Sequence, residues 1–198
     1  MAPAVEVNLM GVVHGVRVFT PMMLAAARRD PDYEGHIVNT ASMAGLVNMP
    51  NMGAYNVSKH AVVSLSETLF QDLKLVSERV HAHVLCPYFV PTGILHSDRA
   101  RPDDTRDEAG PTQSQRVAQA VGERAVASGK VSAAEVAQFV FDAMAAKRFY
   151  IYSHPRALGP VMTRAEDILR GENPSDPYAR RPELGEQLKA ALTPKTPC

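Results

Sequence analysis

The sequence predicts an α/β fold on a doubly wound parallel sheet, and three observations lead there. Short apolar runs at 36–41, 80–86 and 149–152 have the length of buried strands. Longer stretches between and around them place apolar residues three and four positions apart, as amphipathic helices do. The resulting order of strand, helix, strand favours parallel pairing through crossover connections. At 198 residues the chain suits one domain with a core of ordinary size.

In order along the chain, Val5, Leu9, Val12, Val16, Phe19 and Met23 define a helix over residues 5–29. Gly11 and Gly15, one turn apart, suit the close approach of another helix. Arg28 and Arg29 complement the dipole of the last turn, and Asp30-Pro31 ends it. His36–Ala41 is a strand that stops at Ser42, and Gly45–Gly53 reads as loop. A helix over about 54–77 follows, with Ala61, Leu65, Leu69 and Leu73 as its apolar stripe; Val80–Cys86 is the next strand, closed by Pro87.

Residues 88–131 change character. Pro91, Pro102 and Pro111 punctuate them, and the piece from Ser97 to Glu108 is highly charged. A mobile lid or a loop with a helix at 112–127 is expected. Ser132-Ala-Ala-Glu135 is a capping box opening a helix whose inward residues are Val136, Phe139, Val140 and Met144. Phe149–Tyr152 is the third strand, and a helix over 157–170 presents Val161, Ala165, Ile168 and Leu169. The tail from Gly171 carries five prolines and reads as a partly ordered surface segment. The expected division is a catalytic part over 1–160, containing a substrate loop at 93–131, and a C-terminal helix and tail over 161–198.

Composition narrows the function. There are 21 basic and 21 acidic residues and no long run of one sign, so no nucleic-acid or membrane-surface partner is expected. No apolar run of ~18 residues and no charged-then-apolar leader is present, so neither a membrane span nor a signal peptide is expected. Cys86, in an apolar run, and Cys198, the last residue, make no disulfide framework and fit a reduced cytoplasmic setting. His81 and His83 share a strand face, but no third ligand has suitable spacing, so no metal is expected. Ser42 lacks the Gly-x-Ser-x-Gly elbow of a serine hydrolase. Met43, Met49 and Met52 are candidates to line a substrate pocket near Ser42, whereas Met22 and Met23 suit core filling.

The chemistry concentrates between Asn39 and Lys59. Ser42 stands thirteen positions before Tyr55, and Lys59 four positions after it, which puts Tyr55 and Lys59 on one helix face. A phenol normally titrates near pH ~10, and an ammonium one turn away stabilises its ionised form. A hydroxyl from a neighbouring strand end can bond the same substrate oxygen. Together these residues suit proton transfer at an alcohol or carbonyl oxygen. Taken alone, Tyr55 and Lys59 also match a half-buried tyrosine beside a snorkelling lysine.

Four motifs in order decide between those readings. Val7-Asn8-Leu9-x-Gly11, Ile37-Val-Asn-Thr-Ala-Ser42-x-Ala-Gly45, Tyr55-Asn-Val-Ser-Lys59-His-Ala61 and Pro87-Tyr-Phe-Val90-Pro-Thr92 resemble the C-terminal part of a short-chain dehydrogenase/reductase, over residues 5 to about 160. The resemblance implies a Rossmann-like sheet and NAD or NADP as cofactor, the cofactor carrying the hydride. It implies Tyr55 as general acid/base and Lys59 as the group that lowers the phenol's pKa and holds the ribose hydroxyls. Ser42 would polarise the substrate oxygen, and Asn8 would hold a water linked to Lys59. Pro87, Val90 and Thr92 would meet the nicotinamide side of the cofactor. It further implies a small alcohol or ketone substrate, apolar by the methionines nearby, and pairing of the Asn8 and Tyr55 helices with a second copy in a homodimer or homotetramer.

Two departures stand out. Tyr88 replaces the glycine expected after Pro87, so the backbone there either avoids a positive φ or accepts strain. No Gly-rich strand-to-helix turn occurs, so the fold is expected to be a truncated one, without the half that supplies the phosphate site and sets the choice of NAD or NADP. The alternative to an oxidoreductase is accordingly a cofactor-incompetent fragment acting only as a non-catalytic or interaction protein. Dehydratase and epimerase relatives also use Tyr-x-x-x-Lys, but with a larger C-terminal domain than residues 93–198 provide.

Overall fold

The computed structural model describes residues 5–94 and 110–193. A π-turn, Glu6–Met10, leads without a break into α1 (Gly11–Arg29). β1 (Gly35–Thr40), α2 (Gly53–Val76) and β2 (Val80–Cys86) follow. Then come α3 (Gln113–Ala127), α4 (Ala133–Ala145), β3 (Tyr150–Tyr152), α5 (Gly159–Arg170) and α6 (Pro182–Leu192). The sheet is parallel, in the order β1-β2-β3, with Val38 opposite His83, Asn39 opposite Val84, and Leu85 opposite Ile151. This is the α/β parallel architecture that the sequence predicts.

Alternation along the strands sorts the two faces. Asn39, Ala41, Ala82, Val84 and Cys86 point toward α1 and α2, where two clusters form the core. One joins Ala41 and Met43 to Val62 and Val63 of α2, with Leu9 and Val12 against them. The other joins Ala27 to Leu69, Leu73, Val80 and Ala82, with Val16 and Met23 against them. Asn39 is buried among these groups and its amide donates to Ser66 Oγ at 3.0 Å.

Several expected faces shift. In α2 the buried line is Val62, Ser66, Leu69 and Leu73, whereas Ala61 and Leu65 are only half-buried. A strict four-residue spacing drifts about 40° per repeat on a helix of 3.6 residues per turn, so the predicted stripe slides off the contact. Phe19 and Met22 of α1 are 55% and 59% exposed rather than core, because the helix turns those positions away from the sheet. In α5 only Val161 packs inward, while Ile168 and Leu169 face solvent. The tail is not merely a surface segment. Pro182 sits in the first turn of α6, where its missing N–H costs nothing, and α6 packs on α3.

The capping box holds as expected: Ser132 Oγ accepts from Glu135 N–H, and the Glu135 carboxylate accepts from Ser132 N–H. A second box, Thr112 with Gln115, opens α3. The charged stretch from Ser97 to Glu108 lies within residues 95–109, outside the described residues. The continuous helix Glu6–Arg29 is, at 24 residues, long and apolar enough to cross a membrane by length and composition. Leu9, Val12, Val16 and Met23 pack against the core clusters, but of its residues only Ala27 is buried.

Candidate active site

The carboxyl ends of β1 and β2 are tied together. Ala41 N–H donates to Leu85 O at 2.8 Å, and Met43 N–H to Pro87 O at 2.9 Å. Between them Ser42 is extended and caps a single 3-10 turn, Met43–Gly45, its Oγ accepting from Ala44 N–H at 3.1 Å. Its own proton has only a long contact, 3.5 Å, to Pro87 O. The hydroxyl oxygen is therefore held in place while its proton stays available.

Gly45 brings this turn onto α2. A Cβ there would lie 2.6 Å from Lys59 O and 2.8 Å from Val63 Cγ2, so only glycine allows the approach. In the first turn of α2, Asn56 Nδ2 donates to Met49 O at 2.9 Å and folds the preceding loop back on the helix. Tyr55 is half-buried, and Lys59 Nζ lies 5.8 Å from its ring centroid while donating to Thr40 O at 3.0 Å. Burial pulls the Lys59 ammonium below the ordinary lysine value. Beside it, burial pushes the Cys86 thiol up to about 12, which keeps it neutral.

Asn8 sits in the π-turn, a distortion that often marks functional helices. Its Nδ2 donates to Ser58 Oγ at 3.2 Å, and Ser58 in turn donates to Tyr55 O at 2.9 Å. Ser58, wholly buried, thus joins the asparagine helix to the tyrosine helix. The sequence shows it only as part of the Tyr55–Lys59 motif, since one serine inside a helix gives no periodic signal.

The segment after β2 divides its candidates. Val90 is 8% exposed and faces inward, whereas Thr92 is exposed, with Oγ1 accepting from Ile94 N–H at 3.4 Å. Tyr88 avoids a positive φ, so it replaces glycine without strain, and its N–H donates to Ser153 Oγ at 2.8 Å. Gly129 holds the segment from behind, because a Cβ there would lie 2.5 Å from Phe89 O. Of the methionines expected near Ser42, Met43 is core rather than pocket lining, while Met49 is half-buried and Met52 exposed. Asn51, at φ 63°, donates to Ser114 O at 2.8 Å and ties this loop to α3.

The structure therefore gathers Ser42, Tyr55, Lys59, Asn8 and Pro87 around the carboxyl ends of two parallel strands, which is where doubly wound sheets place ligands. The donor set suits one end of a dinucleotide, a ribose and a carboxamide. The described residues offer no Gly-rich strand-to-helix turn for its phosphates, and no three His, Cys, Asp or Glu side chains among them are placed to hold a metal ion.

A parallel α/β sheet with Tyr-x-x-x-Lys on the helix after a serine-bearing strand defines a class, and known proteins give it a name. A sequence profile of the short chain dehydrogenase family matches residues 2–103. The chain belongs to that family. It is 32% identical over 167 residues to the CLA biosynthesis dehydrogenase/reductase of Lactiplantibacillus plantarum, covering 83% of this chain and 56% of that protein. It is 30% identical over 170 residues to the 1-deoxy-11-beta-hydroxypentalenate dehydrogenase of Streptomyces exfoliatus, covering 86% and 52%. Among solved structures, a short chain dehydrogenase/reductase from Burkholderia phymatum in complex with NAD superposes with a TM-score of 0.82 at 53% identity, covering 87% of this chain and 60% of that one. The chain thus spans roughly half to three-fifths of the length of these relatives.

Proposed function

We propose that this chain carries the proton-transfer half of an NAD(P)-dependent oxidoreductase that interconverts a secondary alcohol and a ketone. The observation that carries the reading is the convergence of Ser42, Tyr55, Lys59 and Asn8 at the carboxyl ends of β1 and β2, joined through the Ser58 bridge and the Gly45 approach. The cofactor, when bound, supplies or accepts the hydride. Tyr55 gives or takes the proton at the substrate oxygen. Ser42 donates to the same oxygen, its Oγ already fixed by Ala44 N–H. Lys59 spends one ammonium proton on Thr40 O and has two left, for the ribose hydroxyls and for stabilising the ionised phenol. Thr92 and the backbone at Pro87 would meet the nicotinamide side.

An apolar substrate suits exposed Tyr88 and Met52 near this end of the sheet. Association of two copies through α1 and α2 is supported by the outward Val18, Phe19 and Met22 and by the open space at Gly11 and Gly15.

A second reading, a family member that keeps these residues but does not turn over, is favoured by the lack of a Gly-rich phosphate turn among the described residues. Titration with NAD and NADP at millimolar concentration, with secondary alcohol oxidation followed in parallel, separates the two. Binding with turnover supports the first, and neither supports the second. Where turnover is present, Tyr55→Phe should lower it by about 10²–10⁴-fold with cofactor affinity unchanged; unaltered turnover would remove Tyr55 from the mechanism.

A further inference from the structure

On the sheet face opposite α2, about 13–20 Å from Ser42 by strand rise, three imidazoles meet, His36 and His81 near the amino ends of their strands and His83 at the middle of β2. His36 Nδ1 lies 2.9 Å from His83 Nε2, and His83 Nδ1 lies 2.8 Å from Arg148 O. His81 Nε2 lies 3.0 Å from Glu34 Oε1, which Lys147 Nζ also meets at 2.5 Å. The His36 ring stands 5.2 Å from each of the other two, centroid to centroid, tilted by 31° to His81 and 29° to His83. His83 is wholly buried. The cluster ties together β1, β2 and the Lys147–Arg148 turn before β3, in which Lys147 holds a left-handed φ of 52°.

The contacts dictate where the protons sit. A carbonyl only accepts, so His83 Nδ1 carries a hydrogen and its Nε2 is bare. His36 must then donate through Nδ1, leaving its Nε2 bare. His81 donates through Nε2 to the carboxylate. The His36–His83 pair can accept one proton, on His36 Nε2, without losing a bond. A second, on His83 Nε2, sets two N–H groups head to head, one of them on the wholly buried His83.

We propose that His36 and His83 form an acid-sensitive latch that holds the amino end of β1 and the middle of β2 to the turn before β3 and releases them on double protonation. The charged and titratable groups facing the pair are Glu34 before β1, His81 on β2 and Lys147 on the turn, where Arg148 contributes its backbone carbonyl. Lys147 offsets the one carboxylate, so the second proton finds no net attraction. Burial, with the neighbouring imidazoles, keeps His36 below the ordinary histidine value. Burial also lowers His83, outweighing the bond to Arg148 O, which acts to raise it. For a group whose folded value is lowered, the unfolded chain takes the proton first. The latch's contribution is then complete above roughly pH 6.5 and is lost as the pH falls below it.

Two measurements on the full chain test this. Long-range ¹H–¹⁵N correlation of the imidazoles at pH 7.5 should show Nδ1–H on both His36 and His83; a hydrogen on His83 Nε2 overturns the proposal. The thermal midpoint should fall by about 4 °C or more between pH 7.5 and 5.5. In a His36→Gln/His83→Gln variant, which keeps a donor and an acceptor at each position but cannot titrate, it should fall less than half as far. An equal fall in the variant, or a flat profile in the parent, sinks the latch. If the variant does not fold, the tautomers and the parent's profile decide.

Discussion

A methyl group on Gly45 would stand 2.6 Å from the Lys59 carbonyl oxygen, a backbone atom that cannot swing aside. Gly45→Ala should therefore cost about 1–3 kcal/mol, as overpacking does, and shift Ser42 relative to Tyr55. Gly159→Ala, in the first turn of α5, is the matched control. Nothing outside its own helix backbone and chain neighbours lies within 4 Å of its added Cβ, and helical alanine is preferred to glycine, so urea unfolding should show no loss and a gain of up to about 1 kcal/mol. Cys86, wholly buried and neutral, should resist a thiol reagent at the rate set by unfolding; fast labelling of a Cys198→Ser variant would contradict its burial. At this scale the sequence discloses residue types and intervals, such as Ser42 to Tyr55, because they are fixed along one chain segment. It does not disclose the Asn8–Ser58 bond, which joins residues 50 positions apart.

Elements were more legible than their orientations. Strands and helices announce themselves through periodicity, and all three strands and the helices from α1 to α5 stand where their patterns put them. Which side of a helix is buried depends on what lies opposite, and α1 shows this. Leu9, Val12, Val16 and Met23 face the sheet, while Val18, Phe19 and Met22 look outward. If those outward residues pair two copies, Phe19→Glu should shift the chain toward monomer by size-exclusion chromatography with light scattering, with its helical circular dichroism retained. No change in size would remove this face from any such contact. The α6 helix is not legible in the sequence, because its tail is rich in proline and reads as a surface segment, although the proline at its start suits a first helical turn.

For the whole molecule, the decisive proportion is length against the relatives, 60% of the NAD-bound one. If Tyr55, Lys59 and Thr92 meet the nicotinamide end as proposed, the described residues still offer no Gly-rich turn for the phosphates, so binding should be weak. A ligand present at its own Kd stabilises by only ~0.4 kcal/mol, about 1 °C in thermal midpoint for a chain of this size. A shift much larger than that at 1 mM NAD or NADP would mean the phosphates find a holder elsewhere in the chain.

The bond from Asn51 to Ser114 joins the loop between Ser42 and Tyr55 to the first turn of α3. Asn51 holds a left-handed backbone to make it, and Thr112 and Gln115 cap the helix on the far side. The tie couples the order of the two segments. Asn51→Gly should then speed hydrogen exchange at the amides of Gln115 and Arg116, which bond back to Thr112; unchanged exchange there would remove the coupling. If substrate enters over Ser42 as proposed, its entry and the order of the first turn of α3 would be coupled through this one bond.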